Sequence, residues 1–287
     1  MTTTTAGSPV ALSRLGAGAR AWRFVKRHAL TVYAVFGFAY LMLPIAVVIL
    51  FSFNDPVGRF NYVWQGFTLD NWRNWDGVFG IRDAVTLSLQ IATLSTIVAT
   101  LLGTLAALAI VRHHFRGRGA TNILVFLPLA TPEIVLGASL LSLFITARTA
   151  TGFATIFVAH VMFIVSFIVV TVKARLVGFD RHLEEAAMDL GANEWVTFRK
   201  VTLPLLAPAI LAGALLGFAI SIDDFVITYF VAGPEQTFPL FVWGAARVAV
   251  PPQVNVIASA IFLIAVTIAV VNVIISSLRA GRQQQGA

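Results

Sequence analysis

The sequence contains no cysteine and has few charged residues for its length. Of its 287 residues only 11% are charged, whereas 58% are hydrophobic. The lack of cysteine excludes disulfides, thiolate nucleophiles and cysteine-ligated metals. Soluble domains carry about twice this share of charged residues. The composition therefore predicts an integral membrane protein.

The motifs of nucleotide hydrolysis and metalloprotease chemistry are also missing. The chain has no G-x-x-x-x-G-K-[ST] phosphate loop and no H-E-x-x-H motif. No Ser/His/Asp arrangement is evident outside the apolar stretches. We therefore expect a chain that is not an enzyme, with no catalytic residue, no bound cofactor and no metal.

Six long stretches with few or no charges indicate six membrane spans. Each is longer than the roughly 20 residues that a helix needs to cross a bilayer. Their apolar residues do not alternate as in membrane β-strands. The sequence thus predicts an all-α membrane protein with a six-helix domain over residues 29–278. The predicted spans are 29–54, 84–111, 119–147, 149–172, 201–234 and 248–278.

Basic residues lie mostly on alternate sides of these spans. Of the 20 Lys and Arg residues, 15 fall in the two terminal tails and in segments 112–118 and 173–200. Positive charge near span ends is retained in the cytoplasm. Both termini are therefore predicted to be cytoplasmic. The same asymmetry accounts for the net charge of +7, which is then no sign of nucleic-acid binding.

This topology defines the segments outside the membrane. We expect a partly disordered cytoplasmic tail over 1–28 and a second cytoplasmic tail over 279–287. Residues 54–83 form an external loop, and residues 173–204 form a long cytoplasmic loop.

The cytoplasmic loop has the signals of a short surface helix. Asp180 can cap its start, Glu184 and Glu185 suit its first turn, and Gly191 can end it in a left-handed conformation. A second short helix is expected over 193–200. The pattern predicts two short helices with acidic side chains facing outward.

The same loop carries a motif with a defined spacing. Glu185-Ala186-Ala187 is followed after three residues by Gly191 and after nine more by Val201-Thr202-Leu203-Pro204. This resembles the EAA motif of membrane subunits in binding-protein-dependent ABC importers, with Val201 where that family usually has Ile. The resemblance implies a type I ABC importer permease fold, in which the first short helix is a coupling helix in a groove of the ATPase. The residues it assigns to ATPase coupling are Glu184, Glu185, Ala186, Ala187, Asp189, Gly191, Leu203 and Pro204.

Three shorter motifs narrow the resemblance to PotC-type permeases of spermidine/putrescine importers. They are the stretch from Trp64 to Trp72, Pro132-Glu133-Ile134-Val135, and the stretch from Ser221 to Thr228. The resemblance implies a bacterial inner (plasma) membrane location and a function in polyamine import. It also implies a PotB-like second permease, a PotA-like ATPase dimer that binds ATP and Mg, and a PotD-like external binding protein. A permease for another small solute and, further off, a secondary transporter are the alternatives.

Three carboxylates fall inside the predicted spans, and no Lys or Arg lies well inside one. They are Glu133, near the middle of the third span, and Asp223 and Asp224 in the fifth. A carboxylate near a helix centre costs about 3 kcal/mol on insertion scales, so it is expected to face a polar cavity or a partner. Carboxylates without Lys or Arg partners inside the spans favour a cationic solute.

On a continuous helix the two aspartates point about 100° apart. Asp224 then shares a face with Ser221 and Thr228, which makes it the better candidate for the solute pathway. A buried structural hydrogen bond is the alternative for each aspartate, and pairing within the bundle or with the partner subunit is the alternative for Glu133.

Aromatic residues and one histidine complete the candidates in the apolar segments. Phe225, Tyr229 and Trp243 can add cation–π contacts to an ammonium group, although packing or lipid contact is the more common role of such residues. His160 is interpreted as a hydrogen-bonded packing residue, because the sequence places no carboxylate beside it for a proton relay.

Overall fold

In a computed structural model, the backbone is described for residues 17–58 and 60–285. Within these residues a single antiparallel bridge joins Asn54 and Phe67, and the rest is helix, turn and loop. The described helices are α1 Ala17–Phe51, α2 Asp70–Arg73, α3 Ile81–Arg112, α4 Arg118–Ala130, α5 Glu133–Thr146, α6 Phe153–Val177, α7 His182–Asp189, α8 Glu194–Thr197, α9 Leu203–Asp223, α10 Val226–Val231, α11 Phe238–Val248 and α12 Pro252–Gln285. A π-helical turn, Phe198–Thr202, joins α8 to α9.

The chain divides into two compact units. One comprises residues 1–73 and 252–287, and the other comprises residues 74–251. In the first unit α1 packs against α12. The second unit contains α3 to α11 and all the predicted coupling and pathway residues.

Four described helices are long and apolar enough to cross a membrane, and a bent pair of helices adds a fifth candidate. The four are His28–Phe51, Ile81–Arg112, Phe153–Val177 and the continuous helix Glu194–Asp223. The sixth predicted span corresponds to α12, whose described apolar part is Pro252–Ile268. The all-α membrane architecture is confirmed, and the count of six spans stays a prediction.

The third predicted span is two helices instead of one. α4 and α5 are inclined by 109° to each other. Pro132 explains the break, because a proline disfavours helical geometry in the residue before it, and Thr131 is extended at φ −86° and ψ 132°. The span predicted over 119–147 is therefore a bent pair of helices and not one continuous helix.

The helix boundaries also differ from the predicted tails. α1 begins at Ala17 and α12 continues to Gln285. Helix thus extends into the predicted tails 1–28 and 279–287. Residues 1–16, which contain most of the stretch predicted to be disordered, lie outside the described residues.

Helix α6 is the central element of the second unit. Half of the residues in its most apolar stretch are buried, which is the largest share among the four long apolar helices. One apolar core joins α6 to α3 and α9 and includes Ala99, Ile168 and Leu206. A second core joins it to α5 and α10 and includes Leu140 and Ile227. These cores position the two candidate sites described below.

Close packing of α3 on α6 depends on Gly103. A Cβ atom there would lie 2.8 Å from Ile168 Cγ2 and 3.2 Å from the Val165 carbonyl oxygen. We expect Gly103→Ala to lower the free energy of unfolding by about 1–3 kcal/mol, because the added methyl group overpacks the interface. Thermal unfolding in detergent measures this. Gly119→Ala is the control, since a Cβ at Gly119 meets no atom within 4 Å; equal stability of the two variants would contradict the prediction.

Candidate functional site

The first candidate site is the helix α7 in the segment 173–204. Its start is capped by Asp180, whose Oδ1 accepts a hydrogen bond from the His182 N–H at 3.0 Å. Its end is closed by Gly191 at φ +89°. The Gly191 N–H donates to the Met188 carbonyl and the Ala192 N–H to the Ala187 carbonyl, which is the Schellman pattern of helix termination. The predicted boundaries of this short helix are confirmed.

The two glutamates of α7 have different surroundings. Glu184 is 15% exposed, and its Oε1 lies 3.0 Å from Nη2 of Arg112. Glu185 is 50% exposed, and its ion-pair partners in the part of the chain that the structure describes are Arg181 at 3.8 Å and His182 at 3.1 Å, both within one turn. Glu184 therefore faces the body of the second unit, whereas Glu185 faces away from it.

The other predicted coupling residues lie on or near the same surface. Ala186 and Asp189 are exposed and Ala187 is half-buried. Large apolar side chains around them are also exposed, with Leu190 at 90% and Trp195 at 67%. The site thus combines the exposed carboxylates of Glu185 and Asp189 with exposed apolar side chains.

Beyond α7 the chain does not form the separate short helix that was predicted over 193–200. Asn193 caps α8 through a 2.8 Å bond from the Val196 N–H, and the helix then continues without a break to Asp223. The π turn accommodates Pro204: the Leu203 N–H donates five residues back to Phe198, which widens the helix where the proline ring would otherwise clash. Leu203 and Pro204 thus lie inside a continuous helix.

The second candidate site is an interruption in the fifth predicted span. α9 ends at Asp223, and Asp224 is extended at φ −65° and ψ 119°. α10 then begins at Val226. The assignment of one helical face to Ser221, Asp224 and Thr228 was based on a continuous helix, and that part of the prediction was wrong.

Asp224 is buried and bound by the first turn of α10. Its Oδ2 accepts hydrogen bonds from the Thr228 N–H at 2.8 Å and from Thr228 Oγ1 at 2.7 Å. Its Oδ1 lies 3.4 Å from the Ile227 nitrogen. The side chain is 5% exposed. Asp224 therefore caps α10, which matches the structural alternative to the pathway role.

His160 in α6 contacts Asp224, Thr228 in α10 and Ser221 in α9, and Ser221 in turn contacts α3. Its Nε2 lies 3.3 Å from Asp224 Oδ2 and 2.9 Å from Thr228 Oγ1, and its Nδ1 lies 2.7 Å from Ser221 Oγ. Ser221 Oγ is 3.2 Å from Ser95 Oγ in α3. Because the Thr228 hydroxyl donates to Asp224, it accepts from His160 Nε2–H. The polar network spans α3, α6, α9 and α10.

Asp223 differs from its neighbour. Its residue surface is exposed, and within the described residues it has no hydrogen bond or ion pair. It lies at the end of a 30-residue helix that carries no other charged residue after Lys200. Of the two adjacent aspartates, Asp224 is therefore enclosed, whereas Asp223 is exposed.

Three aromatic rings predicted for the pathway lie together beside this interruption. The Phe225 ring is 5.1 Å from the Trp243 ring and 5.7 Å from the Tyr229 ring, between centroids. Tyr229 is 57% exposed and Trp243 45%. The guanidinium of Arg247 already lies 4.8 Å from the Trp243 ring centroid. Tyr229 is thus the more available ring for an ammonium group.

Glu133 lies at the bend between α4 and α5, midway along the third predicted span. It is the first residue of α5, directly after the bend at Pro132, and it is exposed. Within the described residues no three or more His, Cys, Asp or Glu side chains lie close enough together to hold a metal ion. The pathway candidates therefore do not form one cluster of carboxylates.

Sequence reasoning missed the partners that hold both sites in place. Arg112 was counted only among the basic residues at span ends, Thr202 was only a position within the motif, and Ser95 was not singled out. The signal for His160 and Asp224 was their rarity as ionisable residues in apolar segments, but their 64-residue separation hid the contact.

A family model described as "Binding-protein-dependent transport system inner membrane component" matches residues 99–281. The chain is 38% identical over 240 residues to the spermidine/putrescine transport system permease protein PotC of Escherichia coli K12, covering 83% of this chain and 90% of that protein. It is 38% identical over 243 residues to the putrescine transport system permease protein PotI of the same organism, covering 80% of this chain and 84% of that protein.

The fold is similar to a chain from a bacterial ABC transporter involved in the import of the acidic polysaccharide alginate. The TM-score is 0.63 and the identity 15%, with 87% of this chain and 95% of that chain covered. At this identity the similarity concerns the fold alone.

Proposed function

The chain belongs to the family of binding-protein-dependent transport system inner membrane components, and from this premise we propose that it forms part of the import pathway for polyamines. It is a permease subunit that crosses the inner membrane several times. The similarity to PotC and PotI supports spermidine and putrescine as its solutes.

The exposed position of Asp223 is the observation that best supports a cationic solute. Its exposed carboxylate has no basic partner among the described residues and lies where the fifth predicted span is interrupted. An unpaired charge at such a place is costly, so it is kept where it serves a polar pathway. A polyamine supplies the missing positive charge, and the exposed ring of Tyr229 supplies a face for its ammonium groups.

The surface of α7 supports the proposed coupling to an ATPase. Glu185 offers a charge, and exposed Leu183, Met188 and Leu190 offer apolar area. Large exposed apolar patches with a polar edge are typical of protein interfaces. In this proposal the segment 173–204 is cytoplasmic and α7 docks on one subunit of an ATPase dimer, which binds ATP and Mg.

The complete importer has two further partners. A second permease completes the pathway, and an external binding protein delivers the solute. ATP-driven closure of the ATPase displaces α7 and the helices attached to it, so that the pathway opens alternately to each side. Asp223 must bind the cation weakly enough to release it during each cycle.

The test is solute uptake by vesicles that contain the complete complex with saturating loaded binding protein. We expect Asp223→Asn to lower spermidine and putrescine uptake about tenfold, because a contact between charged groups is worth at least about 1.4 kcal/mol. Asp223→Glu, which keeps the charge, is expected to retain at least about half of the uptake.

Asp76→Asn is the matched control, because this aspartate is exposed in the predicted external loop 54–83 and its ion pair among the described residues is with Arg82, at 3.9 Å. Uptake at the wild-type rate by Asp223→Asn would contradict the pathway role. Competition by anions but not by polyamines would contradict the proposed solute.

A further inference from the structure

The C-terminal end of α3 contacts the segment 173–204 through a mostly buried ion pair. Arg112, the last residue of α3, places Nη2 3.0 Å from Oε1 of Glu184. Each side chain is only 15% exposed. Solvent and salt screen such a pair less than an exposed one. The contact therefore resists separation more than the surface pairs of α7 do.

Both members of this pair also contact other parts of the segment. The same Oε1 of Glu184 accepts a 2.7 Å hydrogen bond from Oγ1 of Thr202, the buried last residue of the π turn before α9. The Arg112 guanidinium lies 5.2 Å from the centroid of the Phe179 ring, between α6 and α7. Arg112 and Glu184 thus connect α3 with the entry, the short helix and the exit of the segment.

The neighbouring Glu185 makes no such connection. Its partners are Arg181 and His182, both exposed and within four residues of it. Exposed pairs at this spacing contribute at most about 0.5 kcal/mol. The inward connection of α7 is therefore made by Glu184.

We propose that Arg112, Glu184 and Thr202 form a clamp that makes α7, the end of α3 and the start of α9 move as one body. The proposal rests on the proposed function, since it needs an ATPase that displaces α7. α6 and α9 are joined to the segment by the chain itself, whereas α3 is joined only through side chains. Without the clamp, a displacement of α7 reaches α3 only indirectly, through its packing with α6 and α9. The three residues are positioning residues that do not touch the solute.

A reversible cross-link tests whether the two elements move together. The chain has no native cysteine, so Arg112→Cys with Glu184→Cys introduces the only thiols of this subunit. A short bis-methanethiosulfonate reagent then joins them in the complete complex, with native cysteines of the partner subunits replaced. The readouts are uptake, ATP hydrolysis with loaded binding protein, and the ratio of solute imported to ATP hydrolysed.

The reduced double-cysteine complex is expected to import at least about fivefold less solute per ATP, because the clamp is gone. The cross-linked complex is expected to recover most of the wild-type ratio. Each single-cysteine variant with the same reagent is the control and is expected to show no recovery. A cross-link that stops uptake, with uptake returning on reduction, overturns the proposal because it shows that the two elements must separate.

Charge exchange provides a second test. Arg112→Glu and Glu184→Arg are each expected to lower the ratio of solute to ATP at least about tenfold, since each leaves a buried charge facing a like charge. The double exchange is expected to recover at least about a third of the ratio. Single variants that assemble and keep the wild-type ratio, or a double exchange no better than the singles, overturn the proposal.

The two proposals fail in different ways. The wild-type complex is assayed in parallel with spermidine, putrescine and anionic solutes. If it imports no polyamine, the proposed solute is wrong. The effect of the cross-link on ATP hydrolysis stimulated by the binding protein then still decides the clamp, because that readout does not depend on the identity of the solute.

Discussion

Asp224→Ala is expected to lower the free energy of unfolding by about 3–5 kcal/mol, the range measured when one partner of a buried polar or ionic contact is removed. The substitution leaves the Thr228 N–H and the Thr228 hydroxyl without their acceptor, and it removes the carboxylate beside His160 Nε2. It also removes the cap of α10. Thermal unfolding of the purified subunit in detergent, together with the amount of assembled complex in the membrane, measures the effect.

Two further variants separate a structural role from contact with the solute. Asp224→Asn keeps an oxygen acceptor for the Thr228 N–H and is expected to lose less stability than Asp224→Ala. His160→Ala combined with Asp224→Ala is expected to lose less than the sum of the single variants, by about 1–2 kcal/mol, because both act through one network. An Asp224→Ala protein with wild-type unfolding but lost uptake would instead make Asp224 a solute ligand.

Glu185→Lys is expected to reduce solute uptake at least about a hundredfold while the subunit still folds and inserts. Reversal of a charge at a proposed docking surface places like charges together, which costs several kcal/mol. Within the described residues Glu185 pairs only with exposed side chains on its own helix, so its loss is not expected to unfold the protein. Uptake in vesicles and co-purification of the ATPase measure the two consequences.

Asp70→Lys is the control for this charge reversal. Asp70 is 82% exposed, and its one ion pair, with Arg73, is local. It lies in the predicted external loop, on the opposite side from the proposed ATPase. Glu185→Lys with unchanged uptake and unchanged ATPase association would contradict the coupling role of α7.

Local sequence rules predicted α7 well because its ends are determined by nearby residues. Asp180 caps the start and Gly191 supplies the positive φ that ends the helix. The apolar stretches likewise predicted membrane helices, because their length and lack of charge leave few alternatives in a bilayer. The EAA spacing predicted the family, which the match over residues 99–281 confirms.

The predictions of helix ends that failed had been based on local composition alone. Pro132 bends the third predicted span, whereas Pro204 does not end the helix that contains it, because a π turn accommodates its ring. Asp224 interrupts the fifth predicted span, and its carboxylate satisfies the N–H groups that the interruption exposes. Periodicity cannot detect such breaks, since the residues on both sides are apolar.

The sequence by itself determined that this protein is a helical membrane subunit with a short α7 helix and a family spacing around Glu185. These features depend on composition and on contacts within a few residues. Only the tertiary structure decided the surroundings of each acidic side chain: Asp224 is enclosed by His160 and Thr228, Asp223 is exposed, and Glu184 is paired with Arg112. The contacts of Asp224 with His160 and of Glu184 with Arg112 join residues far apart in the chain, which local sequence rules do not bring together.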